Sequence, residues 1–130
     1  DAALHITGNL AVTTTGAGGD VIDAPDDTDG VAVGSDAFLD SILVEGTAVF
    51  DLSGDLVFDG IDGNSTHEFG DVVTITTAND VTLGVSANLT LGDVTADSLT
   101  ARSTGNMFDN DGATMIIANA ASFAALDDNN

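Results

Sequence analysis

The residues best suited to chemistry are aspartates that alternate ahead of turns. They form three acidic knots: Asp26, Asp27 and Asp29 before Gly30, with Asp36 further on; Asp59, Asp62 and Asn64; and Asp109 and Asp111 before Gly112. Calcium takes about six to eight oxygen ligands, and this spacing can supply part of such a set. No knot ends in the glutamate that completes an EF-hand loop. Two interpretations therefore stay open for each knot, a calcium loop or a solvated turn.

Other groupings give little support for catalysis. The chain has no G-x-S-x-G elbow, and it has no Trp or Tyr on which a sugar could stack. The two histidines, His5 and His67, stand in separate segments, and we expect both at the surface or at corners. The sequence therefore predicts a protein that is not an enzyme and that requires no cofactor, with Ca²⁺ as the one candidate ligand.

Charge restricts the partners. The chain has 22 acidic residues against a single cation, Arg102, and its net charge is −21. Such a chain repels itself unless salt or bound cations screen it, and it lacks the Lys and Arg clusters that nucleic acid or anionic membranes require. No apolar run reaches the roughly 18 residues that span a bilayer. Nucleic acid as a partner and membrane insertion are therefore excluded.

One modification site is a candidate. The Asn64-Ser65-Thr66 sequon makes Asn64 a possible glycosylation site.

The elements that would position these residues are short strands. Segments rich in β-branched residues and Phe, bounded by Gly, Asp or Asn, recur along the chain. We predict strands at 10–13, 31–33, 42–44, 47–50, 56–58, 72–76, 81–83, 89–91, 99–101, 114–117 and 122–125. Many open on an Asn or Asp followed by an inward-facing apolar residue, as at Asn9, Asp55, Asp80, Asn88 and Asp93. This polar residue tolerates the conformation of a corner.

A degenerate internal repeat accompanies the strands. Residues 42–55 (ILVEGTAVFDLSGD) align with residues 115–128 (MIIANAASFAALDD), and residues 9–12 align with 98–101. The offset is 73 residues from Val44 to Ile117 but 89 from Leu10 to Leu99, a difference of 16. We therefore predict one repeat-built domain over residues 1–130, with an acidic loop inserted at about residues 20–37.

Repeats of short strands with tight polar corners predict an all-β fold, a parallel β-helix or solenoid. At roughly 20 residues per coil, the chain would form about six coils stacked about 4.8 Å apart. An antiparallel β-sandwich is the alternative, since it also uses short strands joined by turns.

Two phrases resemble a known family. Residues 67–101 (HEFGDVVTITTANDVTLGVSANLTLGDVTADSLTA) and residues 46–60 (GTAVFDLSGDLVFDG) resemble repeats of giant filamentous-haemagglutinin-like bacterial surface adhesins. The resemblance covers roughly residues 9–128 outside the insertion. It implies a right-handed parallel β-helix shaft that is secreted and displayed at the cell surface. The acid-rich insertion and the near-absence of cations depart from the family pattern.

These observations predict an extracellular, cell-surface structural protein. It would be a segment or subunit of a β-rich fibre, adhesin or biofilm matrix filament, assembled by stacking or strand-edge contacts with copies of itself or neighbouring repeats. One alternative is a calcium-dependent module that binds glycan, matrix polymers or another partner. Another is an acidic surface-layer protein of a halophile.

Overall fold

The fold is built from strands, without helices, in the part of the chain that the structure describes, and three strands that the sequence divides into shorter ones are 11–15 residues long. The computed structural model describes residues 3–23, 41–59 and 66–126. Their strands are β1 (Ala3–Ile6), β2 (Leu10–Thr13), β3 (Val21–Asp23), β4 (Ser41–Val44), β5 (Ala48–Asp51), β6 (Leu56–Asp59), β7 (Thr66–Phe69), β8 (Val72–Val85), β9 (Leu89–Ser103), β10 (Met107–Asp109) and β11 (Met115–Ala125).

The strands stack as a parallel β-solenoid of about four turns. Every pairing between described strands is parallel, from β1 with β4 to β11 with β9. Successive partners along one column are Leu10, Ala48, Val73 and Leu91. The predicted parallel solenoid is confirmed, and the antiparallel sandwich does not form.

The prediction of about six coils was too high because the coils are unequal. The column from Leu10 to Ala48 spans 38 residues, the next step to Val73 spans 25, and the step to Leu91 spans 18. A uniform coil of about 20 residues fits only the C-terminal part. The early coils are longer because they carry an additional face.

That additional face is a three-stranded sheet, in the order β1-β4-β7. It ends at β7, because the chain passes from the end of β8 at Val85 to Leu89 through three residues only. Ser86 then donates its backbone N–H to the carbonyl oxygen of His67 at 2.9 Å. The remaining strands form one eight-stranded sheet that continues through all coils.

The core changes where the third face ends. In the wide coils, Phe50, Phe58 and Phe69 are buried, with ring centroids 5.7 Å apart for Phe50 and Phe58 and 6.4 Å apart for Phe50 and Phe69. In the narrower coils, buried aliphatic residues such as Val94 and Leu99 fill the interior. The wide coils therefore need aromatic rings to fill a cross-section that aliphatic side chains fill further along.

His67 was expected at the surface and is instead fully buried. Strand β7 alternates exposed and buried residues, and His67 stacks on Ile42 of β4. Its ring centroid lies 5.2 Å from that of Phe58. Because His67 is polar, the sequence pattern did not identify its position as facing inward, and β7 was not predicted as a strand.

The sequence repeat does not correspond to the stacking. Leu10 belongs to the column of Ala48 and Val73, whereas Leu99 pairs with Val81 in another column. The predicted insertion also begins too early, because β3 (Val21–Asp23) pairs with β6 and belongs to the solenoid. Residues 24–37 of that insertion, and the strand predicted at 31–33, lie outside the described residues.

Arg102 lies inside the longest strand, β9. It pairs with Gly84 of β8 on one side and with Ala124 of β11 on the other, and its side chain is partly buried. The only cation of Lys or Arg type in the chain is therefore held between two neighbouring strands.

Candidate functional site

The predicted calcium knots are only partly within the described residues. Asp26, Asp27, Asp29, Asp36, Asp62 and Asn64 lie outside them. Asp59 ends β6, Asp109 ends β10, and Asp111 lies in the turn that follows. Within residues 3–23, 41–59 and 66–126, no group of three or more His, Cys, Asp or Glu could hold a metal ion. Calcium binding and glycosylation at Asn64 stay predictions.

The third knot has the geometry of a tight turn. The side chains of Asp109 and Asp111 are exposed, and Gly112 has a φ of 83°. The backbone N–H of Ala113 donates to the carbonyl oxygen of Asn110 at 2.8 Å. Glycine adopts this left-handed conformation without the strain that a β-carbon would bring, so the turn itself explains the Gly112 that follows the acids.

Four Asn and Asp residues that directly precede strands, together with Asp93 inside β9, form a ladder from coil to coil. In each rung, a side-chain oxygen of one coil accepts a hydrogen bond from a backbone N–H of the next. The rungs are Asn9 with Thr47 at 3.0 Å, Asp20 with Asp55 at 2.8 Å, Asp55 with Asp80 at 3.2 Å, Asn88 with Asn106 at 2.8 Å, and Asp93 with Thr114 at 2.8 Å. We call this set the corner ladder. The sequence placed Asn9, Asp55, Asn88 and Asp93 at corners and Asp20 in the inserted loop, and it did not indicate that these residues bridge the coils.

Glycines make room for the corner ladder. Gly46, Gly54 and Gly105 each directly precede the residue whose N–H donates to the rung. A β-carbon at Gly105 would lie 2.8 Å from the backbone nitrogen of Asn88, and one at Gly54 would lie 2.9 Å from that of Asp20. Three of the five rungs therefore combine a glycine before the donor with an Asn or Asp acceptor in the preceding coil.

Part of the corner ladder is a column of like charges. Asp20, Asp55 and Asp80 occupy matching positions in successive coils, one residue before the partners Val21, Leu56 and Val81. Neighbouring coils in a β-solenoid are about 4.8 Å apart, so the carboxylates repel one another through solvent. The hydrogen bonds of the rungs therefore form against an electrostatic cost that salt reduces.

Substitution at Asp55 separates these two effects. Asp55→Asn retains a carbonyl oxygen for the Asp80 N–H and removes the central charge, so we expect it to stabilise the protein by about 0.5 kcal/mol at low salt. Asp55→Ala removes the acceptor and is expected to cost about 1 kcal/mol. Urea unfolding followed by circular dichroism would measure both variants. The gain from Asp55→Asn should shrink in high salt, and equal effects of the two variants would contradict the assigned role.

A shallow cavity of about 350 Å³ lies where the three-stranded sheet ends. Its lining includes Glu45, Glu68, Phe69 and Asn88. Glu45 and Glu68 are the only two glutamates in the chain. Oε1 of Glu45 lies 2.8 Å from Nε2 of His5. The cavity offers carboxylates and apolar contacts, and it brings no nucleophile or general base pair together.

The ends of the solenoid carry the exposed apolar residues. Among the described residues, the exposed large hydrophobic side chains are Leu4 in β1 and Phe108, Met115, Ile116, Phe123 and Leu126 in the last coil. Ile116 is 60% exposed, and Phe108 and Phe123 are each 50% exposed. Strand β11 pairs with β9, and no other described strand covers its second edge.

Two long stretches of sequence near the chain ends contain no acidic residues. Residues 2–19 and residues 112–126 contain no Asp or Glu, and 19 of the 22 acidic residues lie between positions 20 and 111. Among the described residues, the inner coils therefore carry most of the acids, whereas the first coil up to Gly19 and the edge strand β11 carry none. Interface cores are similarly depleted of charged residues, so the ends have the composition of contact surfaces.

No protein-family model, curated protein or solved structure matches this chain. In the described part of the chain, no helix has the length and apolar character needed to cross a membrane.

Proposed function

We propose that the chain is a segment or subunit of an extracellular structural fibre, such as the shaft of a surface adhesin or a matrix filament. The observation that carries this proposal is the contrast between the acid-bearing inner coils and the exposed, apolar and uncharged edge strand β11. A parallel stack of coils extends when another coil covers its last edge, so the ends are the places where growth would occur.

The mechanism is cooperative stacking of coils. Columns such as Leu56, Val81 and Leu99 run along the interior, and main-chain ladders join each coil to the next. Covering a side chain of the size of Phe123 contributes about 1.5–3 kcal/mol, and each new strand pairing satisfies an edge that water otherwise solvates. A right-handed coil is part of the proposal, because crossovers between parallel strands of one sheet are almost always right-handed.

The acidic charge of the chain bears on how the proposed extracellular fibres would contact one another. Acidic sides limit lateral contact between fibres in the absence of cations, and divalent cations would bridge them. The copies of this chain, or neighbouring repeats, are the proposed partners at the ends. Glycan or matrix polymers are proposed contacts for the sides.

Negative-stain imaging tests the proposal. We expect short filaments of stacked units in millimolar calcium, with fewer in magnesium at equal ionic strength. Phe123→Asp places a charge on the open end and should abolish the filaments, whereas Thr76→Asp adds the same charge on the exposed side of β8 and should retain them. Single particles of monomer size under every salt condition would overturn the proposal.

The column of Asp20, Asp55 and Asp80 favours a second candidate, an acidic surface-layer protein adapted to high salt. In that case the folded state itself would require salt. Unfolding upon dilution into low salt would support this candidate, and an intact circular dichroism spectrum in low salt would overturn it.

A further inference from the structure

Strand β11 is the longest strand that lies on an open edge. It spans 11 residues, Met115–Ala125, whereas the strands at the opposite end, β1, β2 and β3, span 3–4 residues each. Residues 112–126 carry no charge at all. We propose that β11 pairs in antiparallel orientation with β11 of a second copy of this chain, so that two solenoids join tail to tail. This inference rests on the proposed function, because it uses the same open end.

The shapes of the two ends favour this partner over a head-to-tail contact. The three-stranded sheet is present at the first coil and has ended before the last coil, so the two ends differ in cross-section. A head-to-tail joint would leave β1 without a counterpart. A surface related to itself by a two-fold axis is matched in outline by symmetry. Long, uncharged edges are also those that pair most readily with another strand.

The sequence of β11 is self-complementary in this arrangement. A two-fold axis at Ala120 places Ile117 of one copy opposite Phe123 of the other, and Met115 opposite Ala125. Pairs of an aromatic and a β-branched side chain each contribute about 0.2–1 kcal/mol across antiparallel strands. The axis also lies beside the register shift that β11 shows between Ile117 and Ala120 against β9, so the regular halves of the strand pair with each other.

Charge directs two copies towards this contact. The chain carries a net charge of −21, and its sides repel another copy. Asp109 and Asp111 flank the neutral edge on one side, and Asp127 and Asp128 follow it in the sequence. The joint is therefore expected to tighten as salt screens these flanking acids. A filament would then grow from dimers, joined through their first coils when calcium is present.

Sedimentation and spin labelling test this inference on the full chain without calcium. We expect a dimer whose dissociation constant falls with added sodium chloride. Phe123→Asp should weaken it at least tenfold, and Thr76→Asp should change it less than twofold. Because the chain has no Cys, a label at Ser122→Cys reports the joint alone. Its distance to the same label in the second copy should be below about 25 Å, since four residues along paired strands span about 13 Å.

A label at Thr13→Cys in the first coil serves as the control. In a tail-to-tail dimer, the two labels at position 13 should be about 40 Å apart or more, from a spacing of about 4.8 Å per coil. A short distance only between chains labelled at 13 and chains labelled at 122 would show head-to-tail joints and overturn the inference. Filaments in calcium, together with no dimer in its absence, would overturn this inference but not the proposed function. Dimers that never form filaments would overturn the proposed function but not this inference.

Discussion

Replacing Phe50 by alanine is expected to lower the free energy of unfolding by about 3–5 kcal/mol, the usual cost of removing a large buried aromatic side chain. Phe50 is fully buried, and its ring packs on Phe58 and Phe69 in the widest part of the core. Alanine would leave a cavity beside the other two rings, and a cavity adds to the lost burial. Urea unfolding followed by circular dichroism is the appropriate measurement, because the chain has no Trp and no Tyr for fluorescence.

Phe108→Ala is the matched control, because the same chemical change occurs at a side chain that is 50% exposed in the last coil. We expect it to cost less than about 1 kcal/mol. Similar losses from both substitutions would contradict the assignment of the core to the wide coils.

Gly70→Ala is the second large effect, with an expected cost of about 1–3 kcal/mol from overpacking. Gly70 follows β7 and donates its N–H to the carbonyl oxygen of Val44 at 2.7 Å. A β-carbon there would lie 2.5 Å from the carbonyl oxygen of Glu45 and 3.1 Å from its carbonyl carbon. Both are backbone atoms of the coil beneath, so the two coils must separate to accept the methyl group.

Gly8→Ala tests the same change in the first coil, where a β-carbon would meet no atom within 4 Å among the described residues. Its effect should lie within about 0.5 kcal/mol of zero, or be slightly stabilising, because alanine restricts the unfolded chain. Thermal unfolding of both variants would compare them directly. A loss at Gly8 as large as that at Gly70 would show that backbone freedom, and not close approach, explains these glycines.

The sequence predicted the class of fold because two local signals agree along the chain. The strand β2 was predicted with its observed bounds, and Asp55 and Asn88 were placed correctly ahead of strands. Alternation of apolar and polar residues identifies which side chains face inward, and Asn or Asp marks where the chain turns. Both signals depend only on neighbouring residues, so a single sequence is enough to detect them.

The column to which each strand belongs could not be predicted in the same way. Leu10 and Leu99 follow similar polar residues and precede similar apolar ones, although they lie in different columns. Every inward-facing strand has this pattern, whichever face it occupies. The prediction of the coil number was wrong for the same reason. The number depends on where the third face ends, and that is decided by the three residues between Val85 and Leu89.

In the candidate site, too, local features were predicted and contacts between distant residues were not. Asp59, Asp109 and Asp111 were singled out as ligands because acids near turns suit calcium, and Asp59 and Asp109 stand at strand ends. The corner ladder was missed because its partners are 18–38 residues apart in sequence, as at Asn88 with Asn106 and Asn9 with Thr47. A glycine before the donor, with an Asn or Asp one coil earlier, would have indicated three of the five rungs.

The position of Arg102 makes the native chain a reporter of its own opening. Trypsin cleaves after Lys or Arg, and Arg102 is the only such residue in the sequence. The bond to Ser103 lies within β9, between paired strands on both sides. A protease must have an extended, unpaired segment, so cleavage requires this part of β9 to separate from both β11 and β8. The digestion rate therefore measures the free energy of opening the last two coils around Arg102, without a label or a substitution.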